Sequence, residues 1–164
     1  MALAEPSIAV RPAEEADIPE LLVLTKDYLD EQQDFGGDVL PTPRTIDYYR
    51  TLFAGVIGKT IMGAAVALSW NGSLVGFHLT VELPMPWDSM FGRAALGFGT
   101  FVDPAFRGRG FGVALREVAN DLLREAGFET VIGLVHTGNQ PGEQSLERCD
   151  WKWVGRMGYK RLVS

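Results

Sequence analysis

Residues 100–112 read TFVDPAFRGRGFG and separate an apolar run from a long segment with helical periodicity. The apolar run ends at Asp103-Pro104, because proline lacks the backbone N–H that a central strand needs. Apolar residues then recur at helical spacing as far as Ala126, and Gly127 is a typical residue after a helix end. The pattern predicts a strand, a glycine-rich basic turn and a helix.

The turn itself, residues 107–112, has the features of an anion-binding site. Free N–H groups at the start of a helix point at a bound anion, and glycines allow the backbone to approach it. Two arginines add positive charge. The turn lacks the Gly-Lys-Ser/Thr ending of a P-loop, and its glycines do not have the G-x-G-x-x-G spacing of dinucleotide-binding folds. An ordinary strand-to-helix turn with surface arginines is the alternative.

The composition predicts one globular domain over residues 1–164, because 46% of the residues are apolar and 22% are charged. No apolar run approaches the ~20 residues of a membrane helix, and the N-terminus has no secretory signal pattern. The single cysteine, Cys149, excludes an intrachain disulfide and favours a cytoplasmic location. The net charge of −6 argues against a nucleic-acid partner. Two histidines and one cysteine, far apart in sequence, do not form a metal-site pattern.

The rest of the chain alternates between α and β patterns. Asp17 and Thr42 are typical N-cap residues, each before a helical pattern. Asn71-Gly72-Ser73 is a hairpin turn, and Gly97 and Gly99 indicate a bulge or the close approach of another backbone. We predict strands at 8–12, 64–70, 74–82, 94–102, 130–136, 151–154 and 159–163, helices at 18–33, 43–54, 111–126 and 143–149, and loops at 83–87 and 137–142.

The turn fits the pattern R/Q-x-x-G-x-G/A, which resembles the signature of the GNAT superfamily of acyl-CoA-dependent N-acyltransferases. The predicted order of elements is similar to that family's order over nearly the whole chain. The resemblance implies an α/β fold with a mixed, mostly antiparallel sheet, splayed central strands and helices on both faces. It also implies a site for acetyl-CoA, with the pyrophosphate at Arg107, Gly108, Arg109, Gly110, Phe111 and Gly112.

In this family the pantetheine arm bonds to the backbone of the fourth strand, which corresponds to Phe101 and Val102. A splayed strand has free backbone groups to offer such an arm. Asn139 occupies a position where the family often has an asparagine near the pantetheine, although asparagine is equally typical of a turn.

The sequence departs from the family at the positions that move protons. The tyrosine that often serves as general acid corresponds to Leu146, and the glutamate base of many members corresponds to Leu96. The Gly-Phe pair that often follows the last helix is replaced by Asp150-Trp151. The resemblance therefore covers the cofactor site and not the usual acid and base.

Acetyl transfer needs a deprotonated amine, a polarised thioester carbonyl and a proton for the departing thiolate. Two residues are candidates for the base, Glu82 and His136. Glu82 shares the polar face of its strand with His78, a possible relay partner, and His136 lies at the end of a predicted strand. Ser145 or Cys149 is a candidate donor to the thiolate. Each has a simpler interpretation as a solvated or packed residue. A thioester is already activated, so placement of the substrates can supply much of the rate increase.

The resemblance implies direct transfer of an acetyl group from acetyl-CoA to a primary amine of a small molecule or a peptide. The missing acid and base favour the alternative of a non-catalytic acyl-CoA-binding or protein-interaction module. The sequence is also compatible with a homodimer. The family's acceptor cleft lies beside the loop between the first two helices, where four carboxylates either attract an amine or form a solvated face: Asp30, Glu31, Asp34 and Asp38.

Overall fold

The computed structural model describes residues 7–37, 39–84, 90–136 and 138–152. Three short 3₁₀ helices lie at Glu15–Asp17, Thr60–Met62 and Pro104–Phe106. The longer elements in chain order are β1 (Ile8–Pro12), α1 (Ile18–Asp34), α2 (Pro43–Val56), β2 (Gly63–Trp70), β3 (Ser73–Leu83), β4 (Ala94–Val102), α3 (Phe111–Glu125), β5 (Thr130–Ile132) and α4 (Gln140–Glu147).

The five strands form one sheet in the order β1-β2-β3-β4-β5. The first three neighbouring pairs are antiparallel, whereas β4 and β5 are parallel. The predicted hairpin is present, with positive φ angles of 50° at Asn71 and 88° at Gly72. The predicted α/β class with a mixed, mostly antiparallel sheet is therefore confirmed.

Helices cover both faces of this sheet. Helices α1 and α2 pack on the face that carries Phe77 and Leu79, and α3 packs on the opposite face. The side chains of β3 alternate accordingly, because successive residues of a strand point to opposite faces. His78 and Thr80 lie on the face opposite Phe77 and Leu79, as the alternation along the strand predicts, and His78 is close to Arg116 of α3.

The two predicted N-cap residues behave differently. Thr42 caps α2, since its hydroxyl oxygen accepts a hydrogen bond from the Thr45 N–H at 3.2 Å. Asp17 precedes α1 but does not cap it, so this prediction is wrong. A 3₁₀ turn leads straight into α1, and the Asp17 carboxylate points back to the Arg11 guanidinium and the Glu14 N–H. The bond from Arg11 lowers the pKa of Asp17 below its ordinary value.

The region after α3 also differs from prediction. Strand β5 ends at Ile132 and not at His136, because its pairing with β4 stops at Leu96. Helix α4 begins at Gln140, inside the predicted loop, since Asn139 caps it and Pro141 fits its first turn. The last two predicted strands lie outside the described residues, except Trp151 and Lys152, which form no strand. None of the described helices has the length and hydropathy to cross a bilayer.

Candidate functional site

Strands β4 and β5 pair only between Ala94–Leu96 and Thr130–Ile132. Beyond Leu96, β4 pairs with β3 alone within the described residues, and its other edge is open as far as Val102. The predicted splaying of the central strands is therefore present. An open strand edge has free N–H and C=O groups to which an extended ligand can add as another strand.

A bulge shapes β4 at the start of the open edge. Leu79 of β3 pairs with Gly99 and Thr80 pairs with Gly97, which leaves Phe98 as the extra residue. The bulge predicted from the two glycines is thus confirmed. A Cβ at Gly99 would lie 3.0 Å from the Tyr28 ring, so a larger residue would require that ring to shift.

Two tyrosines converge on this bulge, and the sequence analysis missed them as site residues. The hydroxyls of Tyr28 on α1 and Tyr49 on α2 donate to the Phe98 carbonyl oxygen, at 3.5 and 3.3 Å. Burial raises the pKa of Tyr28 to about 12, with a smaller contribution from Glu31, and burial also raises the pKa of Tyr49. Both hydroxyls therefore keep their protons and hold the bulge in place.

The glycine-rich turn follows β4 directly. Gly108 and Gly110 have φ angles of +76° and +81°, a conformation that few residues other than glycine adopt. The backbone N–H groups of residues 108–112 have no acceptor within the described structure. A Cβ built at Gly108, Gly110 or Gly112 would meet nothing within 4 Å. The turn is thus an open cradle of hydrogen-bond donors at the N-terminus of α3, which suits an anion.

The two arginines of the turn have different surroundings. The Arg107 guanidinium donates to the Val102 carbonyl oxygen at 2.7 Å and forms a two-pronged ion pair with Glu31 of α1. Arg109 is exposed, with its guanidinium 5.4 Å from the Trp70 ring centroid, and no carboxylate of the described chain pairs with it. Arg107 therefore ties the turn to β4 and α1, and Arg109 is the cation free to meet a ligand.

The predicted base candidates lie apart from each other. Glu82 accepts a hydrogen bond from the Arg93 Nε at 2.9 Å, and that guanidinium also stacks 4.0 Å from the Phe128 ring centroid. His136 is exposed, in the irregular segment after β5. Within the described residues, no hydrogen bond brings the side chain of Glu82 or His136 to the open edge of β4.

His78, the suggested relay partner of Glu82, is buried. Its Nδ1 lies 2.7 Å from the Thr100 hydroxyl oxygen, and no hydrogen bond of the described residues joins it to Glu82. Burial, together with the nearby Arg116 charge, lowers the pKa of His78 to about 3. The imidazole is therefore neutral at physiological pH, and it is buried on one face of the sheet.

The positions near α4 show no acid or base in the family's usual places. Leu146 is buried and Leu96 is half-buried, and both are aliphatic. The side-chain oxygen of Asn139 accepts a hydrogen bond from the Gly142 N–H at 2.9 Å, so this residue caps α4. No group of three or more potential metal ligands occurs among the described residues.

Two of the acidic residues near the end of α1 form ion pairs within the protein. Asp30 pairs with Lys26 at 2.7 Å, and Glu31 pairs with Arg107. Asp38 lies outside the described residues. A role of this group in attracting an amine stays a prediction.

Comparisons with known proteins give one family and several solved structures. The model of the acetyltransferase (GNAT) family matches residues 25–151. No curated protein matches the chain. The aminoglycoside N-acetyltransferase AAC(6′)-Iy, solved with CoA, is 15% identical, with a TM-score of 0.73 and 98% of each chain covered.

Two further structures have the same fold. A predicted acetyltransferase from Clostridium acetobutylicum, solved with acetyl-CoA, is 13% identical over 95% of this chain and 97% of its own, with a TM-score of 0.74. A ribosomal-protein-alanine N-acetyltransferase from Brucella melitensis biovar Abortus 2308 is 19% identical over 95% of this chain and 99% of its own, with a TM-score of 0.69. At these identities the likeness is one of fold.

Proposed function

Because this chain belongs to the acetyltransferase (GNAT) family, we propose that it transfers the acetyl group of acetyl-CoA directly to a primary amine. The observation that carries the proposal is the row of unpartnered N–H groups at residues 108–112, which continues from the open edge of β4. The row supplies donors for a pyrophosphate, and the edge supplies donors and acceptors for a pantetheine arm.

The cofactor contacts follow from this arrangement. The backbone of Gly108, Gly110, Phe111 and Gly112 holds the pyrophosphate, with the Arg109 N–H and guanidinium beside it. Arg107 holds the shape of the turn through Val102 and Glu31. Of the two predicted pantetheine contacts, Val102 offers its backbone N–H to the pantetheine arm, whereas the backbone of Phe101 faces its partner Phe77 on β3. Asn139, also predicted to lie near the pantetheine, contributes by capping the start of α4.

The chemical step is a direct displacement. The amine nitrogen attacks the thioester carbonyl carbon, a C–N bond forms, the C–S bond breaks, and sulfur leaves with the electron pair. The N–H groups of the open edge can donate to the carbonyl oxygen as negative charge develops there. With leucines at positions 96 and 146, the ammonium loses its proton to water, and Glu82 and His136 assist only through water.

The acceptor is proposed only as a class, a primary amine of a small molecule or a peptide. Two fold neighbours are named for different acceptors, an aminoglycoside and the alanine of a ribosomal protein. The fold therefore does not select among amines. We also propose that the chain acts as one domain in the cytoplasm, where a free thiol such as Cys149 stays reduced.

The cofactor part of the proposal is tested by calorimetry and thermal unfolding with acetyl-CoA. A hundredfold excess over the dissociation constant should raise the free energy of unfolding by ~2.7 kcal/mol. Arg109→Ala should weaken binding, since charge-assisted bonds to phosphate contribute roughly 1.5–3 kcal/mol. Arg124→Ala is the matched control, because Arg124 lies on the exposed side of α3 and pairs with Asp121. An unfolding curve that millimolar acetyl-CoA leaves unchanged would contradict the proposal.

The second candidate function is an acyl-CoA-binding module without catalysis, which the aliphatic Leu96 and Leu146 favour. A panel of amines, with detection of the free thiol, separates the two. Thiol release that depends on one amine supports the enzyme. Tight binding of acetyl-CoA without release on any amine of the panel supports the module.

A further inference from the structure

The open edge of β4 has an apolar surface on the side of α1 and α2. Residues that pair across a ladder share one face of the sheet, so the pairing with β3 puts Leu96 and Phe101 on the face of Phe77. Phe98, the extra residue of the bulge, packs against the same core. Gly99, between these residues, has no side chain. A ligand that reaches the edge from this side therefore meets aliphatic and aromatic groups.

Helix α2 adds a second aromatic ring beside the bulge. Tyr48 is 53% exposed, and its ring centroid lies 6.4 Å from that of Phe98. The Tyr49 ring meets the Phe98 ring edge-on, also at 6.4 Å. The hydroxyls of Tyr28 and Tyr49 donate to the Phe98 carbonyl oxygen. Phe98 is thus held through both its ring and its backbone, and together with the exposed Tyr48 it forms an aromatic wall at the start of the open edge.

The opposite face of the sheet is covered by helices. Helix α3 packs on that face, and the Arg116 Nη2 of α3 donates to the Ser145 hydroxyl oxygen of α4 at 2.5 Å. The two helices are therefore joined on that side. We infer that an acceptor approaches the open edge from the side of α1 and α2, past Tyr48 and Phe98.

The aromatic wall lies at the reacting end of an acetyl-CoA bound as proposed above. The Arg107 Nε donates to the Val102 carbonyl oxygen at 2.7 Å, so the pyrophosphate turn stays at the Val102 end of the open edge. A pantetheine arm has about twelve bonds between its phosphate ester oxygen and its sulfur, and a strand has three per residue, so the extended arm covers about four residues. Counted back from Val102, the arm ends at Phe98.

The charges near this approach suit an acceptor with a single ammonium group. Ion pairs engage three of the nearby acids: Asp30 with Lys26, Glu31 with Arg107 and Asp47 with Arg50. Within residues 30–34, at the end of α1, Asp34 is the one carboxylate without an ion pair. A polyamine or an aminoglycoside would require several free carboxylates.

We propose that the acceptor is an arylalkylamine, a monoamine whose short chain carries a flat aromatic group, and that Tyr48 and Phe98 bind this group. The inference rests on the function proposed above and names its acceptor class. Offset and edge-to-face ring pairs are favourable beyond the area that they bury. With its ring on the wall, the short chain brings the amine nitrogen to the thioester carbonyl carbon at the bulge. Apolar surroundings also favour the neutral amine over the ammonium, which partly compensates for the missing base.

The test compares three amines at saturating acetyl-CoA, with detection of the free CoA thiol and with rates expressed per concentration of neutral amine. The amines are 2-phenylethylamine, butylamine and spermidine. We expect kcat/KM for 2-phenylethylamine to exceed that for butylamine by at least about tenfold, since one aromatic ring is buried, and spermidine to react no faster than butylamine. Tyr48→Ala should lower kcat/KM about tenfold for 2-phenylethylamine and less than about twofold for butylamine, whereas Tyr48→Phe should keep the preference.

The control is Val23→Ala, which shortens a 63% exposed apolar residue of α1 in a groove that does not include Tyr48 or Phe98. It should leave all three rates unchanged, and Tyr48→Ala should bind acetyl-CoA normally by calorimetry. Equal kcat/KM values for 2-phenylethylamine and butylamine, an equal loss for both in Tyr48→Ala, or a preference for spermidine would overturn the inference and leave the proposed function standing. Binding of acetyl-CoA without thiol release on any of the three would overturn the enzymatic function together with it.

Discussion

Replacing Gly112 by leucine should move stability and cofactor binding in opposite directions. Gly112 is the second residue of α3, its backbone is not left-handed, and an added Cβ would meet nothing within 4 Å. The signature allows glycine or alanine here and no larger residue, whereas leucine favours a helix over glycine by roughly 0.5–1 kcal/mol. The ligand-free variant should therefore be more stable than the unsubstituted protein by up to about that amount.

The same leucine side chain should weaken acetyl-CoA binding. It would occupy the open space over the N–H groups of residues 108–112. Loss of a single N–H bond to a charged oxygen costs ~1.5–3 kcal/mol, which corresponds to roughly 10- to 150-fold in the dissociation constant. The glycine at position 112 would then be required for binding the ligand but not for folding.

Urea unfolding without ligand and calorimetry with acetyl-CoA measure the two effects. Gly55→Leu is the matched control, because Gly55 lies in α2 and a Cβ there also meets nothing within 4 Å. It should gain similar stability and bind acetyl-CoA normally. Equal affinity in the two variants would refute the proposed position of the pyrophosphate, and a less stable Gly112→Leu would show that the fold itself needs the glycine.

Three further predictions follow from the buried polar groups and the missing base. Among the described residues no carboxylate pairs with the buried Arg116 guanidinium, and its Nε has no partner. Arg116→Met should therefore raise the ligand-free free energy of unfolding by about 1 kcal/mol or more, and a lower urea midpoint would contradict this. His78, with a folded pKa of about 3, takes up a proton on unfolding below its ordinary pKa near ~6.5, so stability should fall on acidification. The loss should be roughly 2 kcal/mol between pH 7 and pH 5, and His78→Gln should lack it. The transfer rate should rise through the alkaline range toward an ammonium pKa near ~10, with Glu82→Gln and His136→Ala each lowering it about tenfold. A pH–rate profile that is flat from neutrality, or a loss of roughly a thousandfold in either variant, would show a dedicated base.

Local patterns in the sequence were sufficient to predict the strand, turn and helix around residues 100–126. The same holds for the bulge at Gly97 and Gly99 and for the alternation of β3, because each depends on the conformation of a few neighbouring residues. The family pattern was sufficient for the mixed, mostly antiparallel sheet and the splayed strands.

The features that the sequence did not predict depend on contacts between distant segments. Tyr28 and Tyr49 have the spacing of ordinary core residues, and only the folded chain brings both hydroxyls to the Phe98 carbonyl. The Glu31 partner of Arg107 is 76 positions away in the chain. Asp17 has good N-cap chemistry, but a cation on β1 competes for its carboxylate. Contacts between residues far apart in the sequence cannot be predicted from local periodicity.

The short ladder between β4 and β5 has a consequence for hydrogen exchange. From Ala94 to Leu96 the strand has a partner on both sides, whereas from Gly97 to Val102 only β3 pairs with it in the described structure. Successive amides of a strand point to opposite edges. Beyond Leu96 the exchange rates should therefore alternate along β4, slow for amides that face β3 and fast for those that face the gap. A bound pantetheine arm would supply the missing acceptors and remove the alternation.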